Sequence, residues 1–316
     1  MTLKSVGSIL HLMQPADLST PTRAFPEPKA LLELLKPITW FPPMWAFVCG
    51  AISSGQSLGD HPSLVVAGVI LAGPLVCGGS QIVNDWFDRH VDAINEPNRP
   101  IPSGRVPGEW GLYYAIAWSV LALGFSALLG EWVFWATLVG LFLAWAYSAP
   151  PMRLKLNGWY GNLAVGVSYE GLAWITGAAV MLGGVMPSPK ILMLAGLYSL
   201  GAHGIMTLND FKSINGDRSI GIRSLPASLG ADRAARLACV VMAVPQLVVI
   251  GLLVQWGHPV AAGGIACSLF LQALAMVKML KDPLGLAPWY NGTGVTLYVL
   301  GMMLSAFAIR GSVSWL

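Results

Sequence analysis

Ser63 to Asp92 reads SLVVAGVILAGPLVCGGSQIVNDWFDRHVD, and its first 22 residues, through Asn84, contain no lysine, arginine, aspartate or glutamate. An uncharged run of that length is what an α-helix needs to cross a hydrocarbon core of about 30 Å. Asp85, Asp88 and Asp92 then follow at once. The stretch therefore reads as a membrane helix with carboxylates at its end. The rest of the chain agrees. Of 316 residues, 55% are hydrophobic and 10% charged, with a mean hydropathy of +0.64, whereas a soluble domain carries about 25% charged residues. No period-two alternation of the β-barrel kind appears.

Nine spans can be drawn, at about 38–57, 63–86, 110–129, 132–149, 160–183, 189–209, 234–256, 259–278 and 291–310. The expected fold is thus an all-α integral membrane protein, nine transmembrane helices in a single bundle around a central cavity. Residues 1–36 form a cytoplasmic N-terminal tail without a secretory cleavage pattern, and 37–316 the membrane domain. Sixteen of the 18 lysines and arginines lie in the tail or in the loops after spans 2, 4, 6 and 8, which leaves Lys190 and Arg310 for the opposite side. By the positive-inside rule those loops are cytoplasmic. A net charge of +3, spread between apolar runs, excludes a nucleic-acid binder. Cys49, Cys77, Cys239 and Cys267 sit in apolar runs without metal-ligand spacing and read as packing residues.

At 100° per residue, Asp85, Asp88 and Asp92 fall within an arc of about 60° on one helical face. Three stacked carboxylates repel one another and call for cations, and hard oxygen donors favour magnesium or calcium. Magnesium commonly joins one or two carboxylates to substrate phosphates, so a diphosphate is the expected third party. A second polar segment, Asn209-Asp210-Phe211-Lys212-Ser213-Ile214-Asn215-Gly216-Asp217-Arg218, emerges on the same side. Asn215-Gly216 reads as a helix stop, which would put Asp217 on a loop. Five of the 15 acidic residues fall in these two clusters, and acids at membrane depth are functional by default. The expected metal ligands and catalytic residues are Asp85, Asp88, Asp92, Asp210 and Asp217, with Mg2+ as cofactor. Asn84, Arg99, Arg153, Lys155, Asn209, Lys212 and Arg218 are the expected substrate contacts, the bases offsetting the charge of a departing diphosphate.

The N-D-x-x-D-x-x-x-D segment from Asn84 to Asp92, continued by Arg99-Pro100 and Ser103-Gly104, resembles the first motif of the intramembrane (UbiA-type) prenyltransferase superfamily, typified by the 4-hydroxybenzoate polyprenyltransferases. Tyr147-Ser148-Ala149-Pro150-Pro151-Met152-Arg153-Leu154-Lys155-Leu156-Asn157-Gly158-Trp159 and Asn209-Asp210-Phe211-Lys212 through Gly216-Asp217-Arg218 are similar to its chlorophyll and bacteriochlorophyll synthase branch, and the likeness runs over roughly residues 30–310. Ser213 stands where the wider superfamily often has another aspartate. The resemblance implies esterification of the C17 propionate of a chlorophyllide or bacteriochlorophyllide by geranylgeranyl or phytyl diphosphate, with release of diphosphate. It also implies a bacterial inner, intracytoplasmic photosynthetic membrane, cytoplasmic active-site loops, and pigment-assembly proteins as partners. An ionised propionate needs no general base, unlike a ring carbon that must lose a proton after attack. The alternatives are a relative acting on a quinone precursor or haem, and, from another class, a cation transporter or channel with the aspartates as a binding ring.

Two residues in the apolar spans stand apart from these motifs. His203 lies two turns below Asp210, where it either touches a macrocycle or is a core histidine satisfied by backbone. Glu170, well inside span 5, needs a partner or a polar cavity.

Overall fold

The structure is a computed structural model that describes residues 25–310, so residues 1–24 of the expected tail lie outside the described residues. From the remainder of the tail, the short α1 (Pro28–Leu34) packs on the bundle, pinned where Arg105 donates to the Glu33 carboxylate at 2.7 Å and Glu27 N donates to the Arg105 carbonyl at 2.9 Å.

α2 (Phe41–Ser53) is shorter than the expected 38–57. Pro42 and Pro43 fit only the first turn of a helix, where no intrahelical donor is lost, and Gly55, with φ of 83°, turns the chain away at the other end. α3 (Pro62–Asn95) runs 34 residues, about 51 Å at 1.5 Å per residue. It thus outruns the hydrocarbon core and carries the first acidic cluster on one continuous helix. Pro74 widens it into a π segment over Leu71–Cys77, since proline supplies no amide to the ladder and collides with the carbonyl four residues back. The hairpin α4 (Trp110–Leu129) and α5 (Glu131–Ser148) turns on Gly130. α6 (Gly158–Met181) holds a second π segment, Val167–Leu172.

α7 (Pro189–Asn209) passes through a 3-10 turn, Asp210–Ser213, into α8 (Ile214–Ile220). Asn215-Gly216 does not stop the helix, and Asp217 stays on it. The reversal comes at Gly221, whose φ of 78° favours glycine. After α9 (Leu225–Leu229) come α10 (Ala231–Gln255), α11 (Pro259–Met279) and α12 (Pro283–Ala308). α12 starts eight residues before the expected span. Pro283 lies at the tolerant first turn, and the Asp282 carboxylate accepts from Gly285 N at 3.0 Å.

Among the described residues there is no strand, only one isolated backbone bridge. Seven helices among the described residues are long and apolar enough to cross a membrane: α3, α4, α6, the run Pro189–Ser219, α10, α11 and α12. The other two expected spans fall on the 13-residue α2 and the 18-residue α5. Close approach organises the centre. A Cβ at Gly50 would sit 1.9 Å from the Trp174 carbonyl oxygen, and one at Gly177 2.0 Å from that of Phe47, so small residues let α2 and α6 touch backbone to backbone. Trp174, Tyr198 and Tyr298 complete a fully buried core between α2, α6, α7 and α12. Val120, Leu128, Phe142, Leu247 and Phe270 point outward, the arrangement expected when the solvent is lipid.

Candidate functional site

The segments after α5 and α7 are clasped by backbone. Gly158 N donates to the Arg223 carbonyl at 2.9 Å, and Arg223 N to that of Leu156 at 3.0 Å. A side chain at Gly158 would place Cβ 2.5 Å from Leu225 N. Asn157 caps α6, its Oδ1 accepting from Trp159 N at 2.9 Å. This clasp brings Lys155 and Asn162 into one pocket with the second acidic cluster.

The result is a polar pocket of about 250 Å³ that both clusters enter, lined by Asn84 and Asp88 from α3, Tyr147 from α5, Lys155, Asn162 from α6, and Asp210, Ser213, Asp217 and Ser224. Asn84 Nδ2 donates to Asp88 Oδ2 at 2.9 Å, and Lys155 donates to the other oxygen of Asp88. Burial pulls the Lys155 ammonium below the ordinary lysine range, against the opposing pull of Asp88. Asp210 Oδ2 accepts from Asn162 at 3.4 Å, while Asp217 Oδ2 accepts from Ser213 at 3.0 Å and Ser224 at 2.5 Å.

The three aspartates of α3 face two ways. Asp85 and Asp92, about 20° apart on the helical wheel, turn to the rim beside the pocket: Lys36 donates to Asp85 Oδ1 at 2.6 Å, and Arg99 lies 2.9 Å from Asp92 Oδ2 and 3.4 Å from Asp85 Oδ1. Asp88, farther round, faces the pocket alone. Asp85 Oδ2 is buried without a partner.

The other expected contacts scatter. Lys212 and Arg218 are exposed, Arg218 donating to the Ala227 carbonyl at 3.1 Å. Arg153 is half-buried, its Nε without a partner. Neither these three nor Arg99 lines the pocket. Asn209 faces a second, larger cavity and accepts from Asn291 Nδ2 at 2.8 Å. His203 is buried with its ring centroid 5.5 Å from that of Trp159, and it lines neither cavity.

That second cavity, of about 590 Å³, is lined mainly by apolar side chains such as Leu71, Val76, Ala136, Ala173, Val295 and Val299. It shares Asn84 and Tyr147 with the polar pocket, so the two are neighbouring compartments. Both π segments line it, and Tyr169 on the second accepts from Gln81 Nε2 of α3 at 2.9 Å.

A divalent cation fits the donor set. Asp88, Asp210 and Asp217 offer hard oxygens to one small pocket. Among the described residues no three His, Cys, Asp or Glu side chains are grouped so as to hold a metal ion by themselves. Asn162, Tyr147, Ser224, Lys36 and Asn291 are absent from the residues expected on sequence. Asn162 could have been flagged as a carboxamide inside an apolar run, and Tyr147 as part of the Tyr-Ser-Ala-Pro-Pro motif. Nothing in the sequence marks Lys36 or Asn291.

Residues 39–291 match the model of the UbiA prenyltransferase family. The chain is 59% identical to the bacteriochlorophyll synthase 33 kDa chain of Cereibacter sphaeroides, over 93% of this chain and 97% of that one. It is 38% identical to the chloroplastic chlorophyll synthase of Oryza sativa, over 89% and 76%. Its fold is similar to that of a UbiA homolog from Archaeoglobus fulgidus bound to GPP and Mg2+, with a TM-score of 0.71 at 20% identity, covering 89% of this chain and 99% of that one.

Proposed function

The chain belongs to the UbiA prenyltransferase family, and on that premise we propose that it esterifies the C17 propionate of bacteriochlorophyllide or chlorophyllide with geranylgeranyl or phytyl diphosphate, releasing diphosphate. The observation that carries this reading is the adjacency of an acid-lined pocket to an apolar cavity, with Asn84 and Tyr147 at their junction. A prenyl diphosphate has the same division, an anionic head and a hydrocarbon tail.

In this reading Asp88, Asp210 and Asp217 would hold magnesium, and Asp85 and Asp92 support them through Lys36 and Arg99. Bound magnesium would supply Lewis-acid stabilisation of the departing diphosphate. Lys155, released from Asp88, meets the phosphate oxygens, and Asn84 and Asn209 orient the reacting end of the donor. Arg99, Arg153, Lys212 and Arg218 form an outer basic rim that draws the anion in. The apolar walls exclude water from the allylic cation that forms as the C–O bond breaks, and the ionised propionate captures it without a base. The same reading takes residues 37–316 as one domain of nine crossings around a central cavity, with a cytoplasmic tail and active-site loops, in a bacterial photosynthetic membrane beside pigment-assembly proteins.

The test is the purified chain in lipid, given geranylgeranyl diphosphate, Mg2+ and either bacteriochlorophyllide, chlorophyllide or 4-hydroxybenzoate. Pigment ester is expected, and a drop of about 10²- to 10³-fold or more in Asp88→Ala and Asp210→Ala. Prenylation of 4-hydroxybenzoate with no pigment ester would overturn the assignment.

A further inference from the structure

Within the larger cavity one group has no account in the reaction above. Glu170 is 6% exposed, Oε2 is buried without a hydrogen-bond partner, and among the described residues no lysine or arginine pairs with it. It nevertheless lines the cavity. The wide turn Val167–Leu172 aims it there, while its neighbour Tyr169 is satisfied by Gln81. A buried polar group with nothing to bond costs folding energy, so its retention in an apolar chamber points to a ligand that supplies the missing bond.

The prenyl tail cannot be that ligand, because it is hydrocarbon throughout and offers a carboxyl nothing. Depth favours the acceptor. On α6, Asn162 lies in the polar pocket and Glu170 in the cavity. The eight residues between them span about 12 Å at 1.5 Å per residue. A rigid macrocycle whose propionate meets the reacting end of the donor at the junction of the two compartments would lay its opposite rim near that level.

We propose that Glu170 is a specificity-determining residue, which as the carboxylic acid donates a hydrogen bond to a carbonyl substituent on the rim of the tetrapyrrole remote from its propionate. This rests on the reading of the acceptor given above. A site built to bond a polar substituent rejects an analogue that lacks it far more strongly than an apolar pocket rejects an added group, because the site's own polar atom is then left unpaired.

The experiment uses the full chain in lipid with geranylgeranyl diphosphate and two acceptors that differ only at one remote position, 3-acetyl- and 3-vinyl-chlorophyllide. The readout is the ratio of kcat/KM for acetyl over vinyl. The expected ratio is at least tenfold for the wild type. Glu170→Gln, which keeps a donor, should retain the preference, whereas Glu170→Leu should bring the ratio close to one. A Glu170→Leu variant that keeps the wild-type ratio would overturn the inference, as would a wild type with no preference. A wild type that esterifies neither pigment would instead overturn the reading beneath it.

Discussion

At the level of single residues, charge chemistry was the most legible part of the site and direction the least. The rarity of acids in an apolar chain singled out Asp85, Asp88, Asp92, Asp210 and Asp217, yet a helical wheel does not say which of three near-aligned carboxylates faces the cleft. That depends on where Lys36 and Arg99 arrive, and both come from elsewhere in the chain. Lys155 is the base of the expected set that reaches the polar pocket, and its burial has a testable consequence. Its charged form, which would hold the diphosphate, is lost at a lower pH than for an ordinary lysine near about 10.4. KM for the prenyl diphosphate should therefore rise as pH climbs from neutral through that depressed value. Lys155→Arg keeps its charge throughout, and steady-state KM measured across this range should stay flat for it. Parallel profiles for the two proteins would exclude Lys155 from the diphosphate site.

Among the elements, the long helices follow from apolar run length, and their ends depart from it where local stereochemistry intervenes. Pro42 and Pro43 delay the start of α2, Asp282 advances that of α12, and Asn215-Gly216 stays helical because α8 has Gly221 for its reversal. The π segments were not readable at all. Pro74 marks one as irregular without saying how, and the segment around Glu170 has no proline. The clasp between the loops after α5 and α7 was equally hidden, since two hydrogen bonds of backbone leave no side-chain signature. It makes a sharp prediction. In Gly158→Ala the added methyl collides with Leu225 N at 2.5 Å, and overpacking of this kind costs about 1–3 kcal/mol. The variant should melt several degrees lower in detergent and lose ester formation as Asp217 and Ser224 are displaced from the pocket they share with Lys155. Gly216→Ala, whose Cβ would meet nothing within 4 Å, is the control, and a helical alanine there should melt no lower than the wild type. Equal melting of the two variants would remove the clasp from the account of the site.

The molecule as a whole was legible in its membrane character and in the common side of its polar loops, because charge asymmetry accumulates over many loops. The cavity was not legible, since its walls come from segments far apart in sequence, from Ile38 to Val299. The proposed nine crossings turn on α2 and α5. One contact bears on α5. Gly130, in the turn before it, packs against Gly184 in the turn after α6, where Trp132 N donates to the Gly184 carbonyl at 3.0 Å, while Lys155 and the acidic clusters gather where α5 ends and α6 begins. Both helices then have one end at the clasp and the other at the glycine turn, as two successive crossings require. Impermeant maleimide labelling of single cysteines in a cysteine-free background decides the count. In sealed inside-out vesicles, cysteines at Lys36, Arg153, Lys212 and Lys281 should react at once. Those at Asp60, Glu131, Lys190 and Arg310 should react only after the vesicles are opened. Were Glu131 and Arg153 to label from one face, α5 would not cross. Were Lys36 and Asp60 to do so, α2 would not, and the tail bearing the Lys36 contact to Asp85 would have to be placed on the other side of the bilayer from the acids it neutralises.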